Sequence, residues 1–489
     1  MGFKTDTSFL RFLTMGAMGT TQTMAQLRSL GFQPIELERY CASNKIWMTK
    51  VKRLRLPDLL CVRTGLRVEV RAKSDLKIRM SDAPANPDRK WDAGLRDDDL
   101  VAFIAIDGRE GEGLRPADEA MFFTIRALSA SAGTSKLGPP KSASEGAERD
   151  RTWPATVPSR SGVVFSVSAD RLVVDMGGDG NPDRRQTYNL TGKNSYVQPG
   201  DRFTAGHSIL AGSPTARADI HSYLRRAYDP IADLGARQPV DRYAAVKALP
   251  YREDLHRAAV PALERLLRIE DAERVALEAA GSAATLGSAF GRERIEAALW
   301  GEGRSDLRME AVLILTELGT TFARRQLCRV ASEAHFQGDE IRQAAVWGLG
   351  KAGLKEYEDL VTFIGDPDEN VALHAIVAFG PDTPEPVIRT LVGMLIAGDR
   401  RLAPSASEAL RIIGSELAVR VLSEAASLGG SDWCIATLGR MPPELVRSAL
   451  RGTDVLGRVT PVMLLAEGVN WLATEDRAMD VAFLLKQTL

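Results

Sequence analysis

The sequence predicts a multidomain protein with a mixed α/β domain at the N-terminus, then a small β domain, then a long all-α region. The chain has 489 residues, and about 150 residues per domain gives an expectation of about three domains. Residues 8–127 mix helical and strand patterns, whereas a helical pattern repeats from residue 216 onward. The predicted units are residues 1–127, a flexible linker over 128–161, a small β domain over 162–212, and the helical region over 213–489.

Composition and charge are those of an ordinary globular protein. Apolar residues make up 44% and charged residues 26%, which excludes wholesale disorder. Lysine plus arginine number 63 against 64 acidic residues, so the overall charge favours neither nucleic acid nor membrane. No apolar run approaches about 18 residues and no signal-peptide pattern is present, so we expect a cytoplasmic location and no membrane partner. The cysteines lack CxxC spacing, which predicts reduced thiols: Cys41, Cys61, Cys328 and Cys434.

The elements of the first domain follow the order αβββαβ. An amphipathic pattern predicts the first helix, and the continuous apolar run LVAFIAI is typical of a strand buried on both faces. The predicted elements are a helix over 16–30, strands over 33–40, 57–63 and 67–73, a helix or irregular segment around 87–98, and a strand over 100–106.

Two carboxylates stand out on the central hairpin of this domain. Asp58 opens the second strand directly after a proline, and Glu69 lies on the third strand. Because side chains alternate along a strand, Glu69, Arg71 and Lys73 share one face. A tight turn at Thr64-Gly65 brings Asp58 near that face, so we expect two acids and two cations together.

These residues carry a family resemblance. Pro57-Asp58, ten intervening residues and then Glu69-Val70-Arg71 resemble the PD-(D/E)XK nucleases, whose core has the same αβββαβ order. The resemblance covers residues 10–107. It implies that Asp58, Glu69 and the main-chain carbonyl of Val70 bind Mg²⁺ or Mn²⁺.

The chain departs from the family pattern at one catalytic position. Arg71 stands where the family has a lysine, and an arginine cannot give up its proton. Lys73, on the same face, is the candidate to replace that lysine. The same departure is also expected in inactive relatives, so both an active and a degenerate site stay open. The predicted catalytic residues are Asp58, Glu69, Arg71 and Lys73.

A strong local positive charge surrounds the two acids. Between residues 39 and 79 there are twelve cations and three acids, as a phosphate-backbone site requires. Trp47 and Tyr40 interleave with the cations and are candidates to contact bases or sugars, whereas Trp91 is expected in the core. The predicted nucleic-acid contacts are Lys45, Lys50, Lys52, Arg53 and Arg55.

Residues 162–212 predict a small β-barrel or sandwich. The segments GVVFSVS and RLVVDM are rich in β-branched residues, and a Gly/Asn/Pro turn follows them. This stretch resembles the barrel-sandwich segments of biotinyl domains and of the bacterial RNA polymerase β subunit. It lacks the lysine that would carry biotin or lipoate, so we infer no swinging-arm cofactor.

The helical region repeats one unit, in which an amphipathic helix ends near a glycine and a second helix follows. The glycines, from Gly287 to Gly439, recur at intervals of 25 to 34 residues. Helix pairs at such a period predict an α-solenoid, and the pattern resembles HEAT repeats of the short bacterial kind. The concave face of such a solenoid is expected to bind a protein partner, and the last residues are expected to cap its open end.

These observations favour a Mg²⁺-dependent DNA endonuclease with the solenoid as its recognition module, an architecture that suits bacterial restriction or phage defence by analogy. The alternative is a non-catalytic nucleic-acid-binding or scaffold protein with a degenerate nuclease-like domain. The histidines all lie beyond the first domain, which excludes an HNH-type or phospholipase-D-type site there. No Walker loop and no GxSxG motif is present.

Overall fold

The computed structural model describes most of the chain, with gaps concentrated in the first third and at the C-terminus. The described residues are 7–37, 47, 54–83, 90–108, 113–138, 148–178, 180–301, 304–333, 336, 340–351, 353–399, 402–429 and 432–466. They form a mixed sheet region at the N-terminus and a long helical region after it.

A mixed sheet flanked by one long helix forms the first region. Its elements are α1 (Thr7–Ser29), β1 (Pro34–Glu36), β2 (Leu59–Cys61), β3 (Arg67–Lys73), β4 (Ile78–Asp82), β5 (Leu100–Asp107), β6 (Arg115–Pro116), β7 (Met121–Thr124) and α2 (Ile125–Ala130). β1, β2 and β3 are antiparallel neighbours, and β3 runs parallel to β5. The far side of β5 pairs with β7 and then with β6.

Small residues let α1 lie close against this sheet. A Cβ atom added to Gly19 of α1 would stand 2.9 Å from the Cβ of Ala72 on β3, a distance that side chains do not tolerate. β5 is buried from Leu100 to Ile106, because α1 covers one face of the sheet. The predicted α/β class is therefore present, and the long apolar strand β5 runs parallel to β3.

The segment predicted around 87–98 as a helix or an irregular stretch is irregular over its described residues, 90–98. Between β3 and β5, described residues 74–83 and 90–99 contain turns and β4 but no helix. The alternating burial of Ile78–Asp82 is the period-2 pattern of a strand. β4 leaves the main sheet and pairs with β9 (Glu148–Trp153), which pairs in turn with β8 (Thr134–Gly138).

The prediction of a flexible linker over 128–161 is wrong, because this stretch contributes β8, β9 and a buried tryptophan. Trp153 is 1% exposed, donates its indole N–H to the carbonyl of Leu128 at 2.8 Å, and lies edge-on to Trp91. Low apolar content hid these strands, which are stabilised by cross-strand ion pairs such as Arg79 with Asp150.

The predicted strand pattern over 162–212 is present within two small sheets, one of which also includes residues 155–156 of the predicted linker. The strands are β10 (Ala155–Thr156), β11 (Gly162–Val167), β12 (Arg171–Met176), β13 (Arg185–Asn189), β14 (Asn194–Ser195), β15 (Arg202–Phe203) and β16 (Ala211–Gly212). One sheet has the order β13-β12-β11-β15 and the other β10-β16-β14. Val164, Leu172, Val174 and Phe203 form their common apolar core.

The C-terminal region is helical, and every predicted repeat segment contains a helix. The helices are α3 (Pro230–Asp233), α4 (Pro239–Ala248), α5 (His256–Ile269), α6 (Glu273–Thr285), α7 (Ala289–Trp300), α8 (Ser305–Leu318), α9 (Thr321–Ser332), α10 (Glu340–Leu349), α11 (Tyr357–Val361), α12 (Glu369–Ile376), α13 (Glu385–Ala397), α14 (Leu402–Ile413), α15 (Glu416–Ser427), α16 (Asp432–Gly439), α17 (Pro443–Ala449) and α18 (Asp454–Ala466).

Even-numbered helices from α4 to α16 pack on one another in succession, an arrangement compatible with a solenoid. Gly319 ends α8 in the left-handed conformation, with φ of 62°, as the predicted C-terminal glycines require. The predicted C-terminal cap lies largely outside the described residues. None of the described helices combines the length and the apolar character that crossing a bilayer requires.

The N-terminal sheet region and the helical region contribute side chains to the same buried apolar clusters. Leu13, Trp47 and Leu60 belong to one buried apolar cluster with residues of the helical region. In the other direction, Tyr223, which precedes the helices, and Ile209 of the small β domain join the core of the main sheet. The predicted boundary at residue 127 therefore does not separate two independent cores.

Candidate functional site

Asp58 and β3 form the centre of the candidate site. Leu59 pairs with Val68, so Asp58, one residue before Leu59, lies next to Glu69 and Val70. Asp58 is 7% exposed, and its Oδ2 accepts a hydrogen bond of 2.6 Å from the backbone N–H of Val70. The hairpin thus brings the two predicted metal ligands to the same place, as the strand pattern predicted.

Arg71 makes a direct ion pair with Glu69. Its Nη2 lies 2.6 Å from Glu69 Oε1, and the Glu69 side chain is only 13% exposed. The Nε of Arg71 also donates to the sulfur of Met80 on β4, at 3.4 Å. Arg71 therefore balances the charge of one predicted metal ligand and cannot serve as a base.

A cavity of about 220 Å³ lies beside Arg71 and Lys73 of β3. Four cationic side chains from separate parts of the sheet region converge on it, together with one buried acid. The cavity is lined by Arg55, Arg71, Lys73, Ser81, Asp82, Ala83, Lys90 and Trp91. Cations gathered around one small space make it a candidate anion-binding site.

Asp82 is the acid in this cavity, and sequence reasoning did not find it. It ends β4, is 6% exposed, and its Oδ2 lies 4.0 Å from the guanidinium nitrogens of both Arg149 and Arg151 on β9. Its Oδ1 has no hydrogen-bond partner among the described residues. Asp82 and β9 are about 70 residues apart in the chain, so no local spacing signals this contact.

Only one of the five predicted nucleic-acid contacts lies in the described residues. Arg55 lines the cavity, whereas Lys45, Lys50, Lys52, Arg53 and Tyr40 lie outside the described residues. Trp47 is 1% exposed and packs against Trp347 and His374 of the helical region. The prediction that Trp47 contacts bases or sugars is therefore wrong. Trp91 is buried, as its core-packing interpretation predicted.

The donor atoms at this site suit a hard cation. Asp58, Glu69 and the Val70 carbonyl offer oxygen only, and Mg²⁺ typically takes one or two carboxylates from protein and completes its shell with water and phosphate. Groups of three or more His, Cys, Asp or Glu side chains that could hold a metal are absent from the described part of the chain. A metal bound through Glu69 Oε1 must displace Arg71.

The three described cysteines do not form a second candidate site. Cys61, Cys328 and Cys434 are free thiols, and Cys41 lies outside the described residues. Burial, with Asp359 nearby, raises the pKa of the Cys328 thiol to about 11, so this thiol stays protonated and unreactive near neutral pH.

The comparisons with known proteins do not place this chain in a family. No protein-family model matches the chain, and no curated protein matches it. One matching solved structure is an engineered protein determined by crystallography. It shares 20% identity over 51% of this chain and 96% of its own length, with a TM-score of 0.14. Such a superposition carries no argument about fold or function.

Proposed function

We propose that this protein is a metal-dependent nuclease that acts on DNA. The observation that carries the proposal is the position of two low-exposure carboxylates, Asp58 and Glu69, on neighbouring strands. Further along β3, Arg71 and Lys73 line a cavity together with two other cations. Carboxylates that bind a metal and cations that bind phosphate are the two requirements of phosphodiester hydrolysis. The PD-(D/E)XK resemblance of the same residues supports the same activity.

In this proposal each residue has a separate task. Asp58, Glu69 and the Val70 carbonyl hold Mg²⁺ or Mn²⁺, and the hydrogen bond from the Val70 N–H fixes the Asp58 carboxylate. A bound metal lowers the pKa of a coordinated water and offsets charge on the scissile phosphate. Lys73 and Arg55 hold the phosphate, and Lys73 takes the place of the family lysine.

The helical region is the candidate recognition module. Its even-numbered helices pack in succession, and repeat arrays of this kind expose long surfaces for partners. We propose a protein partner there and, by analogy with known architectures, a role in bacterial restriction or phage defence.

Cleavage of supercoiled and linear DNA by the full chain tests the nuclease. Asp58→Ala and Glu69→Ala are each expected to lower the Mg²⁺-dependent rate at least about a hundredfold, because a catalytic metal contributes several kcal/mol. Lys73→Ala is expected to be severe, and Arg71→Lys to be tolerated. Lys136→Ala on β8, an exposed cation outside the cavity, is the control. Equal cleavage by wild type and Glu69→Ala would refute the site.

A second candidate function is DNA binding without cleavage. The contact between Arg71 and Glu69 favours it, because a guanidinium that neutralises a metal ligand competes with the metal. In this case the nuclease-like domain is degenerate, and the protein binds DNA or serves as the scaffold of a complex. Binding without cleavage under Mg²⁺ and Mn²⁺ would establish this candidate.

The salt dependence of DNA affinity locates the binding surface for either candidate. Each neutralised phosphate contributes about −0.9 to the slope of log K against log salt. Replacing Lys50, Lys52, Arg53 and Arg55 together by Ala is expected to flatten this slope by about 1 or more. An unchanged slope would place the contacts elsewhere on the chain.

A further inference from the structure

The helices α5, α7 and α9 concentrate arginine in the first half of the helical region. Together they contain eight arginines and three glutamates, with no lysine or aspartate. The later odd-numbered helices α13, α15 and α17 contain three arginines and four glutamates. The excess of positive charge is therefore specific to α5, α7 and α9 and is not a general property of the repeats.

Most of these arginines face solvent, whereas most of the glutamates do not. Glu293 is exposed, but Glu264 and Glu296 are half-buried and accept hydrogen bonds from Ser288 and Gln326. We call the exposed arginines the arginine face: Arg257, Arg265, Arg268, Arg292, Arg294, Arg325 and Arg329. This surface carries a large net positive charge that the glutamates of the same helices do not balance.

Four members of the arginine face make no ion pair and no side-chain hydrogen bond with any described residue. They are Arg257, Arg265, Arg294 and Arg325. An arginine in an ion pair within the protein has already used part of its charge, as Arg342 has with Asp366. The four guanidinium groups without such a pair keep all their N–H donors for a ligand.

The other three arginines lie over aromatic rings of a neighbouring helix. The distances from guanidinium carbon to ring centroid are 5.1 Å for Arg268 and Phe290, 6.0 Å for Arg292 and Phe322, and 3.9 Å for Arg329 and Trp300. Arg268 and Arg292 also donate to backbone carbonyls, and Arg329 makes an exposed ion pair with Glu333, a kind of pair that contributes little. Stacking restricts these side chains, so less conformational entropy is lost when they bind an anion.

The dimensions of the arginine face suit an extended polyanion. The stacking contacts place α5, α7 and α9 side by side, and packed helices are about 8–10 Å apart, so the face spans about 20 Å. One strand of duplex DNA has a phosphate about every 3.4 Å along the axis. About six phosphates of one strand can therefore lie along this surface.

The same surface is poorly suited to a protein partner. Protein interfaces have an apolar core from which charged residues are depleted. On these three helices, all of whose residues are described, Ile269 is the only large apolar side chain that is highly exposed. Charge without an apolar centre favours a nucleic acid.

We propose that the arginine face binds the phosphate backbone of DNA, as a contact surface separate from Asp58 and Glu69. The choice of DNA rests on the proposed function, whereas the preference for a polyanion rests on the face itself. Each guanidinium can donate to two phosphate oxygens at once, and such contacts hold DNA without reading its sequence. The helical region thus holds the DNA that the sheet region cleaves.

Fluorescence anisotropy of the full chain with a labelled duplex, in a chelator and over a range of salt concentrations, tests this surface. The test variant changes one arginine on each of α5, α7 and α9: Arg265→Gln, Arg294→Gln and Arg325→Gln. The matched control removes the same number of exposed charges from α13, α15 and α17: Arg389→Gln, Arg420→Gln and Arg447→Gln. Each lost phosphate contact lowers the slope of log K against log salt by about 0.9, so the test variant is expected to flatten it by about 2–3 and the control by less than about 1.

Three results would contradict the proposal, and they differ in what they leave standing. Equal slopes in the two triple variants overturn the assignment to the arginine face, while Mg²⁺-dependent cleavage by the wild type keeps the proposed function. Absence of DNA binding by the wild type refutes the DNA assignment and the proposed function together.

Competition with poly-glutamate separates nucleic acid from an acidic protein. An extended polypeptide carries one charge about every 3.3 Å, whereas duplex DNA carries one about every 1.7 Å. Unlabelled DNA is therefore expected to displace the labelled duplex at an at least tenfold lower concentration of charges. Equal displacement by poly-glutamate would assign the arginine face to an acidic protein and overturn the proposal.

Discussion

Charged side chains have different surroundings in the two regions of the molecule. In the helical region buried charges face one another: Lys247 on α4 lies 2.9 Å from Glu317 on α8, and Arg342 on α10 pairs with Asp366. In the sheet region, Arg55, Lys73 and Lys90 line one small cavity. Cations gathered around a space that a ligand can enter make a candidate anion site, so chemistry is expected in the sheet region rather than in the helical region.

The two regions are joined at the strand that carries the site. Arg67, at the start of β3, forms a buried ion pair with Asp99 and a second one, of 2.7 Å, with Asp241 on α4. The Arg67 side chain is 3% exposed. Since Glu69 follows two residues later on the same strand, the helical region fixes the strand that positions the candidate metal ligand.

The largest expected effect on stability comes from removing Arg67, whose ion pair with Asp241 links β3 to α4. Arg67→Ala is expected to lower the free energy of unfolding by about 3–5 kcal/mol, because the buried carboxylate of Asp99 loses its guanidinium partner and Asp241 loses one of its two. Urea unfolding of the full chain measures the loss. The control is Arg96→Ala: Arg96 also contacts Asp241, at 2.8 Å, but is 44% exposed, so its removal is expected to cost about 0–1 kcal/mol. Equal losses of stability in Arg67→Ala and Arg96→Ala would show that the buried ion pairs of Arg67 do not hold the two regions together.

A somewhat smaller loss of stability is expected at low pH, because of His374 in the helical region. Burial lowers the pKa of the His374 imidazole to about 4, with Asp368 opposing and Lys351 assisting this shift. Because the folded pKa lies below the ordinary value of about 6.5, stability is complete above pH 6.5 and is lost as the pH falls toward 4. The gap between the two pKa values corresponds to about 3 kcal/mol.

Urea unfolding at pH 7 and at pH 4.5 measures this loss. His374→Gln is expected to show a smaller decrease between the two pH values than the wild type. His256→Gln is the control, because His256 is less buried and lies on α5, away from Trp47. The same decrease in all three proteins would assign the pH dependence to the carboxylates of the chain instead.

Local patterns predicted much of the fold. β3 spans residues 67–73 as its alternation predicted, and the helices of the repeats follow their 3.6-residue apolar periodicity. The position of Asp58 beside Glu69 and Val70 was predictable because one hairpin contains these residues. Short-range spacing and one tight turn are enough to bring them together.

Long-range pairing was not predictable from the sequence. Asp82 meets Arg149 and Arg151 only because β4 pairs with β9, and the composition around residues 128–161 is typical of a linker. Likewise, Trp47 lies in a basic stretch, so its charged neighbours suggested a nucleic-acid contact. Its burial against Trp347 depends on a helix about 300 residues away in the chain.

The most direct test of the central claim is the binding of Mn²⁺ to the full chain, followed by electron paramagnetic resonance without DNA. Wild type is expected to bind Mn²⁺, and Asp58→Asn and Glu69→Gln each to weaken binding at least about tenfold, because each removes a charged ligand. Arg71→Gln is expected to preserve or tighten binding, since it removes the guanidinium that competes for Glu69. Mn²⁺ binding that is absent in the wild type, or unchanged in Asp58→Asn and Glu69→Gln, would contradict the metal site and with it the nuclease.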